Sequence, residues 1–369
     1  MLLETLEVMN FRNLNGRFDF SERLNIVAGD NGLGKTNCLE AISVLSATRS
    51  FKTSRLSETI RFGEEMAILR GRVLRGAGIR HELQVVINES SKTTSVNGKK
   101  EPATRYINEL HTIVFSSEQL SIVRGAPDER RRFLDEGIVQ IFPPYVRTLS
   151  DLAKVIKQKN SLLQSASEDG ISVDKVAEIL IPWNEQFVAL ATKVHRARVR
   201  YVERLNEVLQ RKLFGKEEVS MRYASSLEDK GELSDYAGLL AERLALRVQA
   251  ELSVGRCLIG PQRDDLEITF DGHDIRKFGS SGQQRSALLL LQLATLAVYH
   301  EQNEEYPLFL IDDIDAELDY GRIGQLLEFL DGKTQTFVTT SKESFVERFG
   351  GGTPIFTVSE GIPCILRQG

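Results

Sequence analysis

The run Gly29-Asp30-Asn31-Gly32-Leu33-Gly34-Lys35-Thr36 fits the spacing G-x-x-x-x-G-K-S/T, directly after the apolar stretch LNIVA and ahead of a helical pattern. The chemistry this spacing serves is the holding of phosphates. Glycines let the backbone close around an anion, the N–H groups at the start of the following helix point at it, and Lys35 reaches β- and γ-phosphate oxygens as a compact cation. The Thr36 hydroxyl is expected at a Mg²⁺ site. A second oxygen donor for that metal is available where the apolar strand Leu308-Phe309-Leu310-Ile311 ends in Asp312-Asp313. Strand alternation sends the two carboxylates to opposite sides. Asp312 is therefore expected at the metal beside Thr36, and Asp313 beside an attacking water as general base. Read alone, an acidic strand end only caps a helix; a P-loop upstream gives it a metal to hold.

Gly279-Ser280-Ser281-Gly282-Gln283-Gln284-Arg285 precedes the apolar pattern SALLLLQLATLAV, so its small residues fall at a helix amino end suited to an anion. Alone this is an ordinary serine cap. With Ala316-Glu317-Leu318-Asp319 after the acidic strand, and Thr339-Thr340 at the end of the next, it completes an ordered set. The order is P-loop, long insertion, signature serine, acidic pair, small turn and polar residue. Local basic clusters occur at Arg49, Lys52 and Arg55, at Arg130, Arg131 and Arg132, and at Lys193, Arg196, Arg198, Arg200 and Arg204. Each is a candidate for contact with a phosphate backbone, although a charge run is usually a solvated helix face. No recognition-helix, zinc-finger or stacking-aromatic pattern accompanies them, so binding would follow backbone shape and not base sequence. The five histidines are scattered and suggest no metal cluster.

The elements that must position these residues differ along the chain. The first third alternates apolar and polar residues at LLETLEV, RLNIVAG, MAILRGRVL and HELQVVI, with Asn97-Gly98 as a hairpin turn. One helix interrupts it after Thr36, with Leu39, Ile42 and Leu45 on one face. From Glu118 to Leu252 the texture is long, charged and of helix period, broken at Pro143-Pro144 and at the polar run Ser165 to Gly170. Strands alternate with helices again beyond Val254, which implies a parallel sheet with crossover helices. With 369 residues, 41% of them hydrophobic, the chain can bury a large core and make two lobes. A net charge of -5 does not by itself advertise a nucleic-acid partner, so any such surface is local. Three distant cysteines, Cys38, Cys257 and Cys364, suit a reducing compartment. The amino terminus carries Glu4 and Glu7 where an export signal would be basic, and no apolar run is long enough to span a membrane, so a cytoplasmic location is expected.

Taken together, NFRN at Asn10 to Asn13, the P-loop, SFKTSR before IRFG, VFSSEQL, GAPDERRRFLD, GPQRDDLEI, SSGQQRS and LIDDIDAELD resemble the RecF family of bacterial recombinational repair, which belongs with the SMC-like ABC ATPases. The likeness spans the whole length, and the RRRFLD and GPQRDD segments separate this family from its relatives. The resemblance implies an α/β fold: an ABC-type P-loop ATPase lobe with a mixed sheet, residues 1 to 117 and 254 to 369, plus an inserted all-helical arm, residues 118 to 253. It implies ATP and Mg²⁺ as ligands, with Arg12 and Asn13 joining the P-loop residues. Two protomers of such proteins sandwich ATP, so Ser280, with Gly282 and Gln283, would act in trans on the γ-phosphate. Thr340 stands where ABC transporters carry a γ-phosphate-sensing histidine; its hydroxyl can bond phosphate or water but cannot titrate near neutrality. Three positions depart from the family pattern: Gln262 for His, Ser117 for Pro and Ala316 for Ser. The implied task is weak, DNA-stimulated ATP hydrolysis by a homodimer that closes on gapped or junction DNA and, with RecR and RecO, helps load recombinase. A transporter-associated nucleotide-binding subunit and an SMC-type DNA-organising clamp are the alternatives, the latter disfavoured because sustained heptads are missing.

Overall fold

The computed structural model describes residues 1–76, 78–212 and 216–367. They divide into two compact units: Met1–Val123 with residue 216 and residues 280–367, and Arg124–Lys212 with Glu217–Gly279.

The first unit stacks two sheets on one helix. One sheet is antiparallel, in the order Leu14–Asp19, Leu2–Phe11, Met66–Arg75, Ile79–Asn88, Lys92–Val96, Lys99–Lys100. Asn97 and Gly98 turn its last hairpin with φ of 50° and 74°, the left-handed pair the dipeptide predicts. The other sheet runs Ile362–Arg367, Ile355–Ser359, Leu24–Ala28, Thr336–Thr340, Leu308–Ile311, Thr112–Phe115. It is parallel except for its first hairpin, which makes it the mixed sheet expected of the lobe. The helix Lys35–Ala47 lies between the sheets. Its Leu39, Ile42 and Leu45 share one core with Leu3, Leu6 and Val85 of the antiparallel sheet and with Leu310 and Phe337 of the parallel one. That is why burial goes round the helix, taking in Cys38, Ala41 and Val44, instead of stopping at one face. The second long helix, Ser281–Asn303, is buried along most of its length and meets the edge strand Thr112–Phe115.

His111 precedes that edge strand, its carbonyl accepting from Leu308 N at 2.9 Å and its ring lying against Tyr299. Burial first, and Arg75 second, lower its pKa to about 3. The unfolded chain takes up a proton near pH 6.5 that the folded one refuses, so stability is lost as the pH falls from about 6.5 towards 3. His111→Phe keeps an aromatic ring and removes the titration. Relative to wild type it should gain about 2 kcal/mol between pH 7 and pH 5 in urea melts; parallel pH dependences would show that His111 titrates normally.

The second unit is helical at its centre, with Pro127–Ile141, Tyr145–Glu168 and Val173–Gln210 separated by residues 142–144, where the Pro143-Pro144 break is expected, and by residues 169–172, so that most of the run Ser165 to Gly170 is helical. It is not helical throughout. Val219–Ala224 is a strand inside the segment expected to be helical, pairing antiparallel with Asp265–Phe270. Its pattern VSMRYA alternates, but one short strand is masked by long helical neighbours. The same pairing carries the second unit to Gly279, past residue 253. Buried ion pairs organise it: Arg198 donates twice to Asp135, at 2.9 and 2.8 Å, and once to Pro261 O, while Arg130 donates to both oxygens of Asp265 at 2.6 and 2.9 Å. No helix among the described residues is long and apolar enough to cross a membrane.

Candidate functional site

The P-loop leaves strand Leu24–Ala28 through glycines whose conformations other residues avoid. Gly29, Gly32 and Gly34 have φ of 142°, 87° and 106°, and a Cβ on Gly34 would meet Asn13 Oδ1 at 2.5 Å. Asn13 explains that crowding: its amide donates to Leu33 O at 2.9 Å and accepts from Asn37 Nδ2 at 2.8 Å, so it pins the loop to its helix. The ammonium of Lys35 folds onto the loop itself, donating to Gly29 O at 2.8 Å, Asp30 O at 2.9 Å and Asn31 Oδ1 at 3.4 Å. A buried cation surrounded by the loop's own acceptors is the arrangement that a phosphate can take over.

Thr36 Oγ1 donates to Asp312 Oδ1 at 2.9 Å across 276 residues of chain, and Thr339 Oγ1 donates to the same oxygen at 2.7 Å. Burial raises the Asp312 carboxyl above its usual range, the bonds from Thr339 and Thr36 oppose this, and Glu118 and Asp313 add repulsion. A hydroxyl and a desolvated carboxylate, side by side beneath a phosphate loop, are the hard oxygen donors Mg²⁺ takes, and a divalent cation would relieve that carboxylate. The residues present fit the metal.

Asp313 separates from Asp312 by a different route than strand alternation. The strand stops at Ile311, and Asp313 adopts φ 52° and ψ 48°, its N–H donating to Thr339 Oγ1 at 2.7 Å. The turn leaves its carboxylate half-buried at the start of the short helix Ile314–Glu317. Thr339 therefore joins the two acids, whereas the role expected of its neighbour Thr340 is contact with phosphate or water. Thr340, level with Ala28 in the parallel sheet, is wholly buried, and its hydroxyl donates to Asp315 Oδ1 at 2.6 Å.

Ser280 is an N-cap. Its hydroxyl accepts from Gln283 N at 3.3 Å while Gln283 Oε1 accepts from Ser280 N at 2.9 Å, so Gln283 is spent on a capping box. Ser281 and Gly282 follow, both exposed. The helix amino end is tied back to the acidic strand, since Arg285 donates to Glu317 at 2.8 Å and Arg322 to Ser286. Ala316 is exposed beside Glu317.

Arg12 also has φ in the left-handed region, 53°, and donates to both carboxylate oxygens of Glu40 at 3.0 and 2.8 Å. Glu40, wholly buried in the P-loop helix, was not singled out by the sequence; an acid in an apolar helix is the signal that could have found it.

The basic clusters fare unequally. Lys52 and Arg55 are exposed, as are Lys193, Arg196 and Arg200. Arg130 and Arg198 are 1% and 4% exposed and belong to the ion pairs described above, and Arg131 is held by Asp264 O and Asp128. These three are structural cations, each committed to an acceptor of its own unit. Gln262, one of the departures, donates to Ile259 O at 2.8 Å in the second unit; Ser117 is exposed and donates to Glu118.

The model of the RecF/RecN/SMC N terminal domain matches residues 2–362. A DNA replication and repair protein RecF of Bacillus subtilis is 35% identical over 349 residues, covering 92% of this chain and 93% of its own. That of Lacticaseibacillus casei is 32% identical over 370 residues, 98% and 99% of the two chains. Among solved structures, the recombination mediator protein RecF with ATP superposes with a TM-score of 0.89 at 30% identity, over 99% of this chain and 97% of that one. An Smc head bound to the C-terminal winged-helix domain of ScpA shares the fold, with a TM-score of 0.54 at 15% identity.

Proposed function

The chain belongs to the RecF family, ATP-binding ABC ATPases of DNA replication and repair, and from that premise we propose that it is an ATP-switched DNA clamp: ATP with Mg²⁺ closes a homodimer on gapped or junction DNA, and slow hydrolysis reopens it. The observation that carries this reading is the bond between Thr36 and Asp312, which joins the phosphate loop to the acidic strand end.

The work of each residue follows from its place. Gly29 to Gly34 supply N–H groups to the phosphates, and Lys35 leaves its loop carbonyls for the β- and γ-oxygens. Thr36 and Asp312 hold Mg²⁺, which when bound neutralises charge shared by the β- and γ-phosphates. Asn13 holds the same loop at Leu33, and Arg12, bonded to Glu40 of the helix that follows, joins it as a contact to nucleotide phosphate. Asp313, set apart by its left-handed turn, orients the attacking water and takes its proton. Ser280 and Gly282 present a helix amino end to the partner protomer's γ-phosphate, where dipole and N–H groups favour an anion. Thr340 has no direct part, and Thr339 holds Asp312 and Asp313 in register instead.

DNA contact is assigned to Lys52, Arg55, Lys193, Arg196 and Arg200, which binds the phosphate backbone irrespective of sequence. RecO and RecR are the proposed partners, in keeping with the RecFOR pathway named for a structural relative, and the cytoplasm the proposed place. ATP turnover measured with gapped, duplex and single-stranded DNA tests the reading. Gapped DNA should accelerate hydrolysis several-fold over protein alone, with the gain fading as salt rises; equal turnover with and without every DNA would overturn it.

A further inference from the structure

Arg12 is the corner of a closed ring of hydrogen bonds in the first unit. Its Nε and Nη2 donate to Glu40, and its Nη1 donates to Glu58 O at 2.8 Å. Ser50 Oγ donates to Glu40 Oε1 at 2.6 Å and in turn accepts from Lys52 N at 2.9 Å and Thr53 N at 3.1 Å. Thr53 Oγ1 donates to the Glu58 carboxylate, which closes the ring. Three separate stretches are thereby clamped: the P-loop helix through Glu40, the turn between Leu2–Phe11 and Leu14–Asp19 through Arg12, and the basic segment Ser50 to Arg55 through Ser50 and Thr53.

Two features show that the ring serves more than cohesion. A wholly buried carboxylate is expensive and is weak evidence of stabilisation, since well-packed apolar groups do as well; what it fixes is one geometry. In addition, a guanidinium has five N–H donors, and the ring consumes three, leaving one on each terminal nitrogen of a side chain still 25% exposed. Arg12 is thus held in one place with donors to spare, next to Asn13, which touches Leu33 and Asn37. The far side of the ring carries Lys52 and Arg55, both exposed.

We propose that Glu40 is the positioning residue that sets Arg12 for a nucleotide phosphate and that Ser50 and Thr53 tie this placement to the basic turn, so that ATP at the P-loop and a polyanion on Lys52 and Arg55 favour the same closed ring. This rests on the ATP-and-DNA reading above and names the route between its two ligands. Reciprocity is required: whatever DNA does to ATP affinity through the ring, ATP does to DNA affinity by the same factor.

The experiment uses the full chain, a fluorescent ATP analogue, gapped DNA and the variants Ser50→Ala, Ser50→Thr and Glu40→Gln. Ser50→Ala opens the ring on the basic side without touching Arg12, so basal turnover and ATP affinity should stay at wild type. Its stimulation by DNA should fall at least ~3-fold, and ATP should no longer tighten DNA binding. Ser50→Thr restores the hydroxyl and should restore both. Glu40→Gln weakens the hold on Arg12 and should raise KM for ATP about 10-fold with kcat within about 2-fold. Wild-type coupling in Ser50→Ala, or equal losses in Ser50→Thr, would overturn the proposal while leaving ATP and DNA binding in place. A wild-type protein that neither binds the analogue nor responds to DNA overturns the functional reading itself.

Discussion

Asp313→Asn is expected to keep ATP bound and to lower turnover by about 10²- to 10⁴-fold, the usual worth of a positioned general base. Asparagine is the informative replacement for a conformational reason as well as a chemical one. Asp313 sits at φ 52°, a region that asparagine visits readily and alanine does not, so the amide keeps the turn while losing the proton acceptor. The backbone bond from residue 313 to Thr339 needs no carboxylate and should survive. With hydrolysis blocked and the metal donors Thr36 and Asp312 intact, the ATP-bound dimer should accumulate, which light scattering reads as a long-lived doubled mass. A monomer with normal turnover would exchange the roles of the two acids.

Ser280→Arg should abolish turnover while leaving nucleotide binding to the single protomer, because it removes the signature serine from the site that serine would complete on a partner. Loss of the cap costs only about 1 kcal/mol, so the fold should persist, and thermal melting checks that it does. Mixing this variant with Lys35→Arg discriminates a shared site from a private one. Lys35→Arg puts a planar fork where a compact ammonium fits among Gly29, Asp30 and Asn31, and it should be inactive alone. Random pairing in a two-fold dimer then restores one site in half of the dimers, about a quarter of wild-type turnover. Ser280→Arg with full DNA-stimulated turnover by itself would reduce the capping box to a cap.

What could be read along the chain was what is local. The P-loop declares itself because its glycines, lysine and threonine are contiguous, and the turn at Asn97-Gly98 because two residues suffice for it. Arg130 and Arg198 looked like surface cations because the carboxylates that bury them, Asp265 and Asp135, lie 135 and 63 residues away. No window of sequence contains both partners. Thr339 and Thr340 are adjacent and chemically equal, and only the register of Thr336–Thr340 against Leu308–Ile311 decides which meets Asp312. Glu40 was hidden in the opposite way, by lying on a helix whose apolar pattern invited attention to Leu39, Ile42 and Leu45. The strand Val219–Ala224 pairs with residues beyond position 264, so its partner, too, was out of view.

The strand that carries the P-loop takes both of its neighbours, Thr336–Thr340 and Ile355–Ser359, from far downstream. On a translating ribosome, roughly 300 residues separate Ala28 from them, a wait of roughly 15 to 60 s at typical elongation speeds. The antiparallel sheet has all its strands by Lys100, but Leu24–Ala28 stays without partners on either edge, an apolar template open to wrong pairing. Nascent chains therefore hold the phosphate loop long before they can use it, and a product released before residue 336 is unable to complete the sheet beneath that loop. On the proposed function, early termination would remove the ATP-dependent pairing altogether, so truncated products should not poison dimers made by finished ones.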